Sequence, residues 1–242
     1  MNTGPWSRAE FTARLRAVAA DRYHDRHPFN ARMHNGTLSR AELRRWILNR
    51  FHYQRHIPVK DALILAKLDT PALRRNWLRR IQDHDGGRDG DGGGEHGGDG
   101  GGGIERWLRL GEAAGIDRAR LLSGEDVLPG VRLAVDGYVN FCRLRDRLEA
   151  VAASLTELAA PGLMRTRVQA FETHYPWVRA DGLAYFRSRV GQGGRDSAEA
   201  LDLVLDWART REEQERAVAA LVFKCEVLWS LLDAVETAGA RA

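Results

Sequence analysis

Apolar residues recur at spacings of three and four along most of the chain. The pattern is clearest in Trp46–Phe51, Val131–Phe141 and Ala217–Val235, and it predicts amphipathic helices there. The start signals agree. Ser7-x-x-Glu10, Ser39-x-x-Glu42 and Thr210-x-x-Glu213 have the form of capping boxes, in which a hydroxyl and a carboxylate satisfy each other's backbone N–H groups. Thr70-Pro71 sets a cap and a first-turn proline before a helix over Ala72–Asp83. Pro129 starts a helix running towards Ser154, and Pro161 starts one to about Glu172. No stretch alternates apolar and polar residues between turn signals, so no strand is predicted. The expectation is an all-α fold, a compact bundle of seven or more helices.

One segment breaks the periodicity. Residues 86–103 are two-thirds glycine, with Asp, Glu, Arg and a single His96. Such a tract buries too little surface to offset its ordering entropy, which predicts a mobile loop. It lacks the GKS/T ending of a phosphate loop and the ligand spacing of an EF-hand. Helical periodicity resumes at Ile104, so the tract interrupts one domain spanning residues 1–242 without dividing it.

Composition narrows the class. The 43% hydrophobic and 29% charged fractions of this 242-residue chain are those of an ordinary globular protein. No apolar run approaches the ~18 residues of a membrane span, and Met1–Glu10 is polar, without a signal-peptide core. Cys142 and Cys225 sit in apolar helical contexts with no CxxC spacing, as buried thiols do. These points favour a cytoplasmic protein off the membrane. A net charge of +4, unaccompanied by a recognition motif, gives no reason to expect a nucleic-acid partner. Arginine supplies nearly all the positive charge. Lysine occurs only at positions 60, 67 and 224. The bias fits a GC-rich genome, and a lysine kept against it stands out.

Candidate chemistry is sparse on spacing alone. His52 and His56, four apart, would share a helix face, but no carboxylate stands in the Glu-x-x-His spacing of a di-iron bundle, so packed or solvated histidines are expected and no metal. Arg50 and Gln54 share a face that Tyr53 flanks. Arg80 and His84, and then Tyr185 and Arg189, repeat the i, i+4 spacing on two further helices. Three such pairs on separate helices point to a polar pocket inside the bundle. Arginine is suited to a carboxylate, because its planar fork meets both oxygens.

Longer blocks carry more information. Tyr23–His34 (YHDRHPFNARMH), Asn49–Gln54 (NRFHYQ), Ile57–Asp61 (IPVKD), Arg80–Gly86 (RIQDHDG) and Gly103–Ala113 (GIERWLRLGEA) are followed in order by Leu128–Tyr138 (LPGVRLAVDGY), Ser154–Leu158 (SLTEL), His174–Trp177 (HYPW), Tyr185–Arg189 (YFRSR) and Phe223–Asp233 (FKCEVLWSLLD). Together they resemble the pyrroloquinoline-quinone synthase (PqqC) family over nearly the whole chain. The resemblance implies a compact helical bundle of the haem-oxygenase and TenA type, working as a homodimer. It implies the last step of pyrroloquinoline-quinone formation, in which a quinoline amino-acid polycarboxylate undergoes ring closure and an eight-electron oxidation by O2. Hydrogen peroxide is released, and neither metal nor organic cofactor is used.

Site residues follow from the same resemblance. His24, Arg50, Gln54, Lys60, Arg80 and Arg167, with Lys224, would hold the substrate's carboxylates and quinone oxygens. Tyr53, Tyr138 and Thr156 would line the same pocket. His84, Tyr185 and Arg189 would surround the reacting carbon and the oxygen site, with His84 the leading acid–base candidate and Arg189 and Lys224 in electrostatic roles. Two departures stand out. Met164 occupies a position where the family carries a histidine, and methionine cannot transfer a proton. The connection from His84 to Gly103 is about ten residues longer than the family's, either a tolerated insertion or a gate beside the site. Met164 keeps open a divergent oxidase acting on a related quinoid substrate. A protein that binds the intermediate without turning it over is the other alternative.

Overall fold

The structure, a computed structural model, describes residues 4–87 and 101–240. Residues 88–100, most of the glycine tract expected to form a mobile loop, lie outside the described residues. Among the described residues there are eleven α-helices and no strand. Eight are long: α1 (Arg8–Arg22), α3 (Arg40–Leu65), α4 (Pro71–Asp85), α5 (Gly103–Ala113), α7 (Pro129–Leu144), α9 (Ala160–His174), α10 (Ala184–Trp207) and α11 (Arg211–Ala240). Three are short: α2 (Pro28–His34), α6 (Arg118–Ser123) and α8 (Arg147–Ala152). Three 3-10 turns, His24–Arg26, Leu155–Leu158 and Ala180–Leu183, complete the chain. The all-α expectation holds, with more pieces than seven.

The caps form as their residue types dictate. Ser7 and Ser39 each close a capping box, and Thr210 does the same with Glu213. Thr70 caps α4 by accepting from Leu73 N, with Pro71 in the first turn. The helix expected from Pro129 to Ser154 is two helices. Arg145 leaves helical geometry, and the Asp146 side chain caps α8 by accepting from Glu149 N.

Helix α3 is the axis of the bundle. From Trp46 to Asp61 nearly every turn is buried on more than one side, the signature of a helix packed all round. It contacts α4, α5, α7, α8 and α11, while α9 pairs with α10. An aromatic cluster of Trp46, Trp107 and Phe186 ties α3, α5 and α10 together. Trp46 and Trp107 meet edge-on at 5.4 Å, a geometry worth about 0.5–1.5 kcal/mol beyond area burial. The Trp107 indole N–H donates to the Ile47 carbonyl at 3.0 Å, so this buried donor is satisfied. Both cysteines are free and buried. Among the described residues no helix is long and apolar enough to cross a membrane.

The join between α4 and α5 places the site. Gly86 stops α4 directly after His84 and Asp85, in a left-handed conformation (φ 93°) that favours glycine. The chain re-enters at Gly102 and Gly103 in close contact with that end. An ideal Cβ on Gly102 would lie 2.4 Å from the His84 carbonyl oxygen, so a side chain there could not be accommodated.

Candidate active site

A partly open cavity of about 70 Å³ lies inside the bundle. Helix α3 lines it with Arg50, Tyr53, Ile57 and Lys60, positions three and four apart on one face. His84 enters from the end of α4, Tyr138 from α7, Met164 and Arg167 from α9, Tyr185 and Arg189 from α10, and Lys224 from α11. His24 and the pair Thr156 and Glu157 come from 3-10 turns. Every charged group among them sits in surroundings that disfavour charge unless a partner is near.

The cations dominate. Among the described residues, Arg50, Lys60, Arg167, Arg189 and Lys224 line the cavity, against one lining carboxylate, Glu157. Glu157 accepts from Arg80 Nη1 at 2.8 Å, and Arg189 Nη2 stands 3.8 Å from its other oxygen. Burial alone would raise its pKa, but Arg80, Lys60 and Arg189 outweigh that and hold it below the usual carboxylate value. Lys60 pairs with Asp61 at 2.7 Å and donates to Ser154 Oγ at 3.1 Å. Lys224 donates to Tyr53 Oη at 2.7 Å and lies 3.6 Å from the Tyr138 ring centroid. Burial, then Lys60, pushes its pKa well below the usual lysine value. Arg167 donates to Asn30 Oδ1 at 3.1 Å and has its pKa pushed down to about 10 by burial. Its Nε and the Nδ1 of His24 are buried without a hydrogen-bond partner, two polar atoms awaiting an acceptor or donor.

A second cluster surrounds His84. Gln54 Nε2 is 2.7 Å from His84 Nδ1. Gln54 Oε1 accepts from Tyr185 Oη at 2.8 Å and from Arg50 Nη1 at 3.3 Å. Burial, with Arg189, Lys60, Arg50 and Arg80 nearby, holds the His84 pKa well below the usual histidine value.

Comparison with known proteins decides the lineage. The TENA/THI-4/PQQC family model matches residues 12–234. The chain belongs to the TENA/THI-4/PQQC family. A pyrroloquinoline-quinone synthase of Granulibacter bethesdensis is 49% identical over 226 residues, 93% of this chain and 85% of that protein. One from Pseudomonas aeruginosa is 48% identical over 238 residues, 98% of this chain and 91% of that protein. Among solved structures, a Shewanella denitrificans domain with a haem oxygenase-like fold matches with a TM-score of 0.75 at 13% identity, covering 97% of this chain and 94% of that one. A TenA homologue from Pseudomonas syringae matches at TM-score 0.72 and 13% identity, over 95% and 92% of the two chains. These two likenesses carry the fold.

Within this TENA/THI-4/PQQC bundle, eleven of the thirteen expected site residues line the cavity. Gln54 and Arg80 do not. Gln54 is fully buried behind His84, and Arg80 stacks 4.1 Å over the Trp77 ring while pairing with Glu157. Both touch residues that face the cavity: Gln54 meets His84 and Tyr185, and Arg80 meets Glu157. Sequence reasoning missed Glu157, Ser154 and Tyr23 as lining residues. Glu157 lies within Ser154–Leu158, but its place at the cavity comes from the 3-10 turn at Leu155–Leu158, which no helical periodicity marks. Of the three lysines, Lys60 and Lys224 are in the cavity, whereas Lys67 reaches the Arg143 carbonyl at an exposed site. Met164 lines the cavity one turn before Arg167. His52 and His56 lie apart from it, ring against ring at 4.5 Å, with His56 Nδ1 2.7 Å from the His52 carbonyl oxygen.

Proposed function

We propose that the chain is a pyrroloquinoline-quinone synthase. The observation that carries this reading is the cavity inside the bundle with five cations lining it, in a chain 49% identical over 93% of its length to a protein of that name. The substrate is a quinoline amino-acid polycarboxylate. A polyanion of that kind enters a dry site only where fixed cations replace its hydration. Arg50, Lys60, Arg167 and Lys224, with His24, hold its carboxylates and quinone oxygens, and Tyr53, Tyr138 and Thr156 bound the ring system. Arg80 acts one step back, through Glu157. The unpartnered Arg167 Nε and His24 Nδ1 are matched to substrate oxygens and hydrogen-bonding groups at that end.

Chemistry then needs little from the protein beyond placement and charge. A reduced quinoid ring passes electrons to O2 itself, so the final ring closure and eight-electron oxidation proceed with O2 as co-substrate and hydrogen peroxide as product, without metal or organic cofactor. His84, Tyr185 and Arg189 surround the reacting carbon and the developing superoxide or peroxide charge, where fixed donors and cations act most strongly in a water-poor site. The protein works as a cytoplasmic homodimer. A space of about 70 Å³ has room for about two waters, whereas ligand pockets span about 300–1,000 Å³. Seating the substrate therefore requires the helices or side chains around the cavity to move apart and close again.

The test is direct. The bicyclic intermediate is mixed with the protein anaerobically and O2 is then admitted. Quinone absorbance should develop and peroxide should appear. A tight spectral shift with neither would replace the enzyme by a binding protein.

Met164 favours a second reading, a divergent oxidase on a related quinoid substrate. Where the resembled family pattern places a histidine, the cavity here holds a side chain that neither donates nor accepts protons. Met164→His is expected to speed peroxide release about tenfold with the quinoline substrate, a modest share of what a placed proton-transfer group contributes. An unchanged rate would show that this wall of the cavity takes no part in proton handling.

A further inference from the structure

The hydrogen bonds around Gln54 fix more than a position. Its Oε1 faces Arg50 Nη1 at 3.3 Å and Tyr185 Oη at 2.8 Å, and its Nε2 faces His84 Nδ1 at 2.7 Å. A guanidinium has donors and no acceptor. The amide must therefore turn its oxygen to Arg50, since the reverse would set NH2 against N–H. Tyr185, meeting that same oxygen, donates its phenolic proton to it. The amide NH2 is then the group that meets His84, and Nδ1 can only accept. The proton of the neutral ring is left on Nε2.

The surroundings hold this arrangement in place. Gly103, the first residue of α5, closes over the contact. An ideal Cβ there would lie 2.8 Å from His84 Nδ1 and 3.1 Å from Gln54 Nε2. The amide thus has a wall on one side and Arg50 and Tyr185 on the other. A second proton on the ring would have to sit on Nδ1, directly against the Gln54 NH2. It would also join the positive charges that face the ring, Arg50 and Lys60 from α3, Arg80 from α4 and Arg189 from α10.

We propose that Gln54 is a positioning residue that holds His84 as a neutral imidazole protonated on Nε2, so that His84 meets the substrate as a hydrogen-bond donor and not as a base. The catalytic part of this rests on the synthase reading above; the tautomer does not. A neutral donor of this kind stabilises negative charge as it forms on a quinone or dioxygen oxygen without taking up a proton. Triosephosphate isomerase uses a neutral histidine in the same sense. Tyr185 is drawn into the same unit, because its proton is committed to Gln54. Gln54 and Gly103 thereby influence turnover without touching the reacting atoms.

The experiment is a two-bond proton–nitrogen correlation spectrum of the full-length protein labelled with 15N-histidine, with His84→Asn used to assign the His84 ring signals. The wild-type ring should show the Nε2–H tautomer throughout pH 6–8, without substrate present. A proton on Nδ1, or an imidazolium in that range, would overturn the proposal whatever reaction the protein catalyses. Gln54→Glu supplies only acceptors and should move the proton to Nδ1. With the quinoline intermediate it should lower kcat at least about 100-fold, as wrong-tautomer histidines and lost oxyanion donors do, while KM stays within a few-fold. Should Gln54→Glu fold poorly, Gly103→Ala provides the second variant, expected to give a mixture of the two tautomers. Gln54→Glu with an unmoved tautomer, or with a moved tautomer and unchanged kcat, would count against the positioning role. An Nε2–H ring in a protein that makes no quinone would instead leave the tautomer standing and sink the synthase reading.

Discussion

Glu157→Gln is expected to destabilise the empty protein by about 1–3 kcal/mol, below the roughly 3–5 kcal/mol of breaking a fully buried ion pair, because the Glu157 side chain is 19% exposed and Arg80 and Arg189 keep other interactions. Glu157 is the one carboxylate among the described lining residues, and it holds Arg80 at 2.8 Å with Arg189 at 3.8 Å. The amide keeps the shape and removes the charge, so two largely buried guanidiniums lose the carboxylate they share. The sign of the pH dependence follows from the shift. The pKa of Glu157 is lowered in the fold, so its contribution is complete above the unfolded value near 4.5 and is lost as pH falls through the folded value. Urea unfolding should therefore show a constant gap between wild type and variant from pH 5 to 8, closing below about pH 4. A polyanionic ligand replaces the missing charge, so pyrroloquinoline quinone should raise the Tm of the variant more than that of the wild type. Equal shifts would mean that Glu157 and the ligand do not share the same cations.

Much of this was legible in local sequence, and the reasons are physical. A capping box is a contact between residues three apart, so Ser7–Glu10, Ser39–Glu42 and Thr210–Glu213 could be read directly and form as read. Periodic burial over several turns exposed the long helices for the same reason. Helices α2, α6 and α8, at six or seven residues, are too short to carry a stripe. The break at Arg145 was hidden because RLRDRLEA keeps helical periodicity across it. Asp146, capping Glu149 N, was the available signal.

The site was legible only in its components. Arg50 with Gln54, Arg80 with His84, and Tyr185 with Arg189 could be paired along single helices, but spacing cannot say which member faces a cavity. That is settled by contacts between distant positions. Glu157 meets Arg80 across 77 positions, and Tyr185 meets Gln54 across 131. The first contact sets Arg80 against Glu157, and the second joins Tyr185 to the Gln54 amide whose Nε2 lies 2.7 Å from His84 Nδ1. The scarcity of lysine was as good a guide as the spacing, since two of the three lysines line the cavity, as do Arg50, His84, Tyr185 and Arg189 of the three spaced pairs. Lys224 sets its ammonium 4.2 Å from the Tyr53 ring centroid and 3.6 Å from that of Tyr138.

Lys224 yields the second large effect, with opposite signs for stability and function. Its ammonium is buried between Tyr53 and Tyr138, and among its nearest charged groups are the cations Lys60 and Arg50. Lys224→Met removes a charge that the fold disfavours and keeps an unbranched apolar stem. It also removes the hydrogen bond to Tyr53, worth about 1 kcal/mol. The net expectation is a protein about 1–3 kcal/mol more stable at pH 7, within the gain seen when buried ions give way to apolar side chains. The pKa is lowered by folding, so the unfolded chain binds more protons than the native one below the usual lysine value of 10.5. Wild-type stability should therefore rise with pH towards that value, as the cost of neutralising or burying the charge falls away. The variant lacks this slope, so the difference between the two proteins should shrink between pH 7 and 9.5 in urea unfolding. Turnover should move the other way. Without the cation, substrate oxygens and the charge developing on oxygen lose a fixed partner in a water-poor cavity, at a cost of about 100- to 1,000-fold in kcat. A variant that is less stable than wild type and still active would show that Lys224 is structural, because a charge kept at a cost to the fold has to be kept for what it binds.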